Sequence, residues 1–277
     1  MKKLLMLICM LSTGSLAWAQ ATAPTLGSTA TFAVLGSAVT CVGPGVISGD
    51  VGATGAFTNT PVCTIAGGAP PATNAAAIVA QTALSTVYQN ALVANSSCTS
   101  FLAAAPGADF MLGPGVYCNT GANPALTLTT ITLTLDALGN ANAVWVFKID
   151  AALSGTNFQV VMANGGQPCN VYWLVGADST FTTSTFQGNI LLGGPTGSFT
   201  STGGTLIGRV LANGAVSMTG PNVHGTCAIA AQGGASCKDD DDDRDKDKDH
   251  DRDKDHHDRD KDHHDKDKDH RDKDHKD

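Results

Sequence analysis

One short phrase recurs in the stretch from Asn142 to Gly225. Phe199-Thr200-Ser201-Thr202-Gly203-Gly204-Thr205-Leu206-Ile207-Gly208 lies over Val216-Ser217-Met218-Thr219-Gly220-Pro221-Asn222-Val223-His224-Gly225 at a step of 17 residues. Thr185-Phe186-Gln187-Gly188 lies over Thr205-Leu206-Ile207-Gly208 at a step of 20. Asn142-Ala143-Val144-Trp145-Val146-Phe147 matches Asn170-Val171-Tyr172-Trp173-Leu174-Val175 more loosely. Short β-prone runs that return at such steps, punctuated by Gly, cannot bury their apolar sides alone and do so by stacking. The step wanders, so the pattern predicts an irregular solenoid and not a strict array.

Composition divides the chain in three. Residues 1–19 read as a secretory signal: Lys2 and Lys3, an apolar centre from Leu4 to Leu16, and an A-x-A cleavage site at Ala17-Trp18-Ala19. The apolar run is too short to span a bilayer. Residues 20–237 read as one folded domain, long enough to bury a sizeable core. The domain holds five Asp, Lys148 and Arg209, and the chain has no Glu. Soluble domains carry about a quarter charged residues, so this surface must be Thr, Ser, Asn, Gly and Ala. Residues 238–277 hold 13 Lys or Arg against 20 Asp, a net of −7, with seven of the eight His. Without an apolar residue that tail cannot collapse, and it reads as disordered.

The mature chain has seven Cys. In an exported protein these predict disulfides, and no C-x-x-C spacing points to a structural zinc site. Cys98 with Cys118 flanks one short loop. Cys41 with Cys63 and Cys169 with Cys227 are further candidate pairs, which leaves Cys237 over.

Along the chain, 31–35 and 46–52 read as strands around a Gly43-Pro44-Gly45 turn, and 57–63 as turn-rich. Residues 74–94 form the one convincing helix, capped by Thr73 or Asn74, with Ala80, Leu84, Val87, Tyr88 and Ala91 in one apolar stripe. That helix would cover the solenoid's flank. Residues 96–118 read as a loop that caps one end. Residues 126–129 and 131–135 alternate apolar with Thr, the period of a half-buried strand.

Most catalytic chemistry finds no support. The five domain Asp are isolated, and turn-capping Asp are common. His224 is the single domain His, beside no nucleophile motif, and is expected on a coil edge. No G-x-S-x-G, P-loop or dinucleotide fingerprint occurs. Two domain cations cannot make a nucleic-acid patch. The chain is read as a non-enzyme with no cofactor.

The Thr and Ser residues offer something else. With Phe181, Phe199 and Val216 aligned as inward residues, Thr180, Ser198 and Ala215 fall in one outward row. Thr182, Thr200 and Ser217 fall in another, with Thr219 beyond. Stacked strands are about 4.7–4.9 Å apart, so such rows make a flat, uncharged grid of methyl and hydroxyl groups that ordered water can continue. β-Branched Thr loses little side-chain entropy when held still. On this alignment Ala215 interrupts one row, and Gln159 and Met218 crowd the same surface.

The sequence resembles the secreted ice-binding protein family of bacteria, fungi and algae. The resemblance is carried by 26–36, by Val46-Ile47-Ser48-Gly49-Asp50-Val51-Gly52, and by the helix from Asn74. It continues through Leu112-Gly113-Pro114-Gly115-Val116-Tyr117-Cys118, Ala143 to Phe147, Cys169 to Trp173, Thr185 to Ile190 and Gly208 to Ala212. It implies a mainly β fold: an irregular, discontinuous right-handed β-solenoid with one long α-helix packed alongside. It also supports Cys98–Cys118 in the capping loop. The implied function is adsorption to ice through Thr180, Thr182, Ser198, Thr200, Ser217 and Thr219, outside the cell, in the periplasm or at the cell surface, with neither nucleic acid nor membrane insertion. The alternative is a surface or matrix adhesion module on the same scaffold without ice activity. The tail has no counterpart in that family's domain. Its imidazoles and carboxylates suit weak binding of divalent cations, or it serves as a solvated spacer.

Overall fold

The computed structural model describes residues 20–60, 63–66, 75–119, 121 and 124–225. The leader, the tail, Cys227, Cys237 and the proposed cap residues Thr73 and Asn74 lie outside them, and so do the readings that rest on those residues.

The chain begins with β1 (Phe32–Gly36), β2 (Val39–Val42), β3 (Val46–Ser48), β4 (Asp50–Ala53), β5 (Phe57–Asn59) and β6 (Thr64–Ala66). Helix α1 (Ala75–Ala94) follows, then β7 (Ser100–Phe101), β8 (Phe110–Leu112), β9 (Gly115–Asn119), β10 (Leu126–Thr129) and β11 (Thr132–Asp136). Next come β12 (Trp145–Ile149), β13 (Leu153–Thr156), β14 (Gln159–Ala163), β15 (Val171–Val175), β16 (Ser179–Thr182) and β17 (Thr185–Gln187). The last are β18 (Asn189–Leu192), β19 (Phe199–Thr202), β20 (Thr205–Ile207), β21 (Val210–Ala212), β22 (Val216–Thr219) and β23 (Asn222–His224).

Three parallel sheets form a solenoid. Sheet A runs β4-β1-β21-β18-β15-β12-β9-β7, sheet B runs β10-β13-β16-β19-β22-β2-β5, and sheet C runs β6-β3-β23-β20-β17-β14-β11-β8. Each full coil contributes a strand to each sheet. The stacking does not follow chain order. The two N-terminal coils, β1-β2-β3 and β4-β5-β6, sit beyond the C-terminal coil, with Val34 beside Val210 and Val39 beside Val216. Segment 100–112 forms the outermost turn at the other end: β7 pairs with β9, β8 pairs with β11, and Ala104 accepts a hydrogen bond from the Thr127 amide. The expected cap is thus a partial coil.

Apart from its exposed end strand β7, sheet A is buried on both sides, which is why its strands read as unbroken apolar runs such as VYWLV. One side faces the solenoid interior, where Phe147 stacks on Trp173 with centroids 3.8 Å apart and on Tyr117 at 5.6 Å. The other side carries Leu35, Val146, Leu174, Leu191 and Leu211, covered by Ala77, Ala80, Leu84, Val87, Tyr88 and Ala91 of α1. The expected stripe is the buried one. Small alanines bring the helix close: a Cβ built on Gly193 would overlap the Tyr88 ring. Lys148 closes the helix by donating from Nζ to the Asn95 and Ser96 carbonyls, where a cation suits the helix C-terminus.

The disulfides Cys41–Cys63 and Cys98–Cys118 are formed. No helix among the described residues is long and apolar enough to cross a membrane.

Candidate functional site

Sheet B is the face with an alternating, half-exposed pattern. Leu126, Leu128, Leu153, Phe181, Phe199, Val216, Met218, Val39 and Cys41 point inward and are buried. The residues between them point out. Register then dictates two rows. The first is Thr127, Ser154, Thr180, Thr200, Ser217, Thr40 and Thr58, one from every strand of the sheet. The second is Thr129, Thr156, Thr182, Thr202, Thr219 and Val42. Every member of the first row has a hydroxyl, and every member of the second has a β-branch. Val42 has the shape of Thr without its oxygen. Thr127 and Ser154 hydroxyls are 3.1 Å apart across two strands.

The corner between sheets B and C keeps these rows straight. In the five coils from β10 to β23 it is two residues long. Its first residue is left-handed: Thr130, Asn157, Thr183, Gly203 and Gly220 have φ of 52°, 50°, 49°, 62° and 59°. Each of these N–H groups donates to the last outward residue of the next strand, Thr156, Thr182, Thr202, Thr219 and Val42 in turn. Among these five coils, differences in chain length are absorbed at the other two corners, so they do not reach this face.

This register corrects the row expected from sequence. Phe199 pairs with Ser179, and Phe181 pairs with Ser201. Thr180 is therefore flanked by Thr200 and not by Ser198, and Thr182 by Thr202. Ser198 lies before β19: its amide donates to Asp178 Oδ1 at 2.8 Å and its hydroxyl to the Thr196 carbonyl at 2.9 Å. The physical reason is corner length. Thr185 pairs with Thr205 at the expected step, and two-residue corners force the same step onto sheet B. Aligning the two phenylalanines broke that rule. They still touch diagonally, edge to face, at 5.5 Å. The step of 17 between Phe199 and Val216 is the observed register. The loose match around Trp145 slides by two, with Trp145 beside Val171.

The expected interruptions also move off the face. Ala215 precedes β22, Met218 is buried inside, and Gln159 projects from sheet C. Thr180, Thr182, Thr200, Ser217 and Thr219 do share one surface. Sequence reasoning missed Thr40, Thr58, Thr127, Thr129, Ser154, Thr156 and Thr202. The alternation of 126–129 was visible; its place in this row was not.

Sheet C presents a different exterior. Its outward positions include Met111, Gln159, Val161, Gln187, Ile207 and His224, varied in size and chemistry. His224 lies on β23 between Ile207 and Ser48. No outward position of sheet B carries a charge, and no metal-ligating cluster occurs among the described residues. Asp136, half-buried at a coil corner, is held below the usual carboxylate range by the Leu138 amide first and the Asn164 side chain second.

A family profile described as ice-binding-like matches residues 34–224. The chain belongs to the ice-binding-like family. The ice-binding protein of Nostoc sp. (strain HG1) is 37% identical over 217 residues, covering 73% of this chain and 74% of that one. The crystal structure of an ice-binding protein from the Antarctic ascomycete Antarctomyces psychrotrophicus has 30% identity and a TM-score of 0.62, covering 73% of this chain and 98% of that one. The DUF3494 domain of Shewanella frigidimarina ice-binding protein 1 has 25% identity and a TM-score of 0.61, covering 74% and 98%. Membership in the ice-binding-like family agrees with the fold: parallel strands coiled beside one long helix.

Proposed function

We propose that this protein adsorbs to ice through the outer face of sheet B and so restrains ice growth or recrystallisation. The observation that carries the reading is the pair of rows, Thr127 to Thr58 and Thr129 to Val42, that cross the sheet without a charged or bulky side chain. Neighbouring members lie about 4.8 Å apart along a row, and the two rows lie about 6.6 Å apart along the strands. Ice offers neither charge nor a pocket, so affinity must come from many weak contacts made together. Each methyl removes a little apolar surface from water. Each hydroxyl joins the water layer as donor and acceptor. A charged group would orient water around itself and break that layer. Rigidity decides whether the contacts add up, because ordering a loose surface would cost more than such contacts return. Thr is stiff at χ1, and the backbone beneath it is paired on both sides in all but the end strands.

In this reading Thr180, Thr182, Thr200, Ser217 and Thr219 are contact residues, joined by Thr40, Thr58, Thr127, Thr129, Ser154, Thr156 and Thr202. Ser198 is not. The protein is exported, binds without turnover and needs no cofactor. The test is thermal hysteresis of the mature protein. Thr200→Tyr raises a ring at the middle of the first row and is expected to reduce activity several-fold with the melting temperature held. Gln159→Tyr, on sheet C, is expected to leave it. Equal activity in wild type and Thr200→Tyr would assign the contact to another surface.

A further inference from the structure

The first residue after the Ala17-Trp18-Ala19 site is Gln20, and its surroundings are well defined. Ala21 is buried against the cluster between α1 and sheet A. Thr22 is held in both directions: its amide donates to Asn95 Oδ1 at 2.8 Å, and its carbonyl accepts from Asn95 Nδ2 at 3.0 Å. Asn95 is itself 2% exposed and tied to the Ala91 carbonyl at the end of α1. Gln20 is therefore an exposed residue on a fixed anchor. It borders a cleft of about 300 Å³ lined by Ala21, Pro114, Asn140, Asn142, Ala143 and Val144. That lining contains no ionisable side chain.

We propose that Gln20 becomes the N-terminal residue and closes to a pyroglutamyl lactam seated at the mouth of this cleft. The inference rests on the proposed cleavage after Ala19. The chemistry needs no partner. The unprotonated α-amine nitrogen attacks the side-chain amide carbon, forming a five-membered ring. The bond from that carbon to the amide nitrogen breaks, and the nitrogen leaves as ammonia with a hydrogen from the amine. Nothing is oxidised or reduced. A free α-amine titrates at about 7.7–8.0, so at neutral pH much of it is an ammonium and the remainder is the nucleophile; Pro114, Ala143, Val144 and the amides of Asn140 and Asn142 line the cleft that Gln20 borders. The lactam is uncharged, keeps one N–H donor and one carbonyl acceptor for those amides, and presents its ring to the apolar wall. It also removes a charge from a domain surface that has few, and leaves no amine for an aminopeptidase.

The experiment is N-terminal peptide mass analysis of the full chain, expressed with its leader and recovered from the medium. The expected peptide begins at residue 20 and is lighter than its unmodified sequence by one ammonia. The intact protein then gives no α-amine product with an amine-selective reagent near neutral pH, whereas secreted Gln20→Ala does. A peptide that begins at Gln20 with full mass and a reactive amine, after prolonged storage at neutral pH, overturns the lactam while leaving the cleavage intact. A peptide that begins elsewhere overturns both, and the start position itself distinguishes the two failures.

Discussion

Gly193 and Tyr88 show how tightly single residues set the helix against the solenoid. The absent side chain at Gly193 makes room for the Tyr88 ring. Gly193→Ala is expected to destabilise the fold by about 1–3 kcal/mol, the usual cost of overpacking, measured by urea unfolding. Tyr88 also confers a pH dependence. Burial first, and the Asp150 charge second, push its phenol up to about 12. The folded value lies above the unfolded one, near 10. Its contribution is therefore complete below about pH 10 and is lost as pH rises from about 10 to about 12. Tyr88→Phe should shallow the fall in stability over that window, read from urea midpoints at several alkaline pH values. Burial raises Tyr117 as well, so part of the dependence should remain. On the proposed contact face, Val42 is the one hydroxyl-free member of its row. Val42→Thr is expected to maintain or raise thermal hysteresis without changing the melting temperature, because side-chain shape is retained. A marked loss would place the end of that row outside the contact.

At the scale of elements, the three sheets have different surroundings and different sequence patterns. Sheet A is sandwiched between the interior and α1, so both residue parities are apolar. Sheet B has one wet side, so apolar residues alternate with Thr and Ser. The helix stripe follows from its 3.6-residue period and was legible directly: Ala80, Leu84, Val87, Tyr88 and Ala91 are buried as expected. Leu84 is fully enclosed. Leu84→Ala is expected to cost about 2–5 kcal/mol by chemical unfolding, while the folded fraction keeps its ice activity, since α1 covers a different sheet. Strands β2, β5, β7 and β8 were less legible. They are two to four residues long, too short for periodicity to separate them from turns. Their stability comes from pairing with a neighbouring coil.

At the scale of the molecule, two coils from the N-terminal end complete a stack begun by the C-terminal part. Without β2 and β5 the first row would lose Thr40 and Thr58. The Cys41–Cys63 disulfide lies under this addition, since Cys41 is the inward residue between Thr40 and Val42. It links positions 22 residues apart, a closure worth about 3 kcal/mol on chain-entropy grounds. Replacing both cysteines by Ala is expected to lower stability by that order. It should also reduce thermal hysteresis at temperatures where the rest of the stack is still folded, seen by comparing hysteresis with circular dichroism. The second disulfide, Cys98–Cys118, secures the opposite end.

The amino-acid sequence alone determined the helix and its buried stripe, and the coil steps at Thr185/Thr205 and Phe199/Val216. Those properties are local: a 3.6-residue period, or a short phrase repeated nearby. Tertiary structure decided which hydroxyls stand side by side. Thr180 meets Thr200 because corners of equal length hold sheets B and C in step. Thr40 meets Ser217 because the N-terminal coils dock where the C-terminal ones leave an edge. Pairing across such distances depends on stacking the whole set of coils, and no window of sequence contains it.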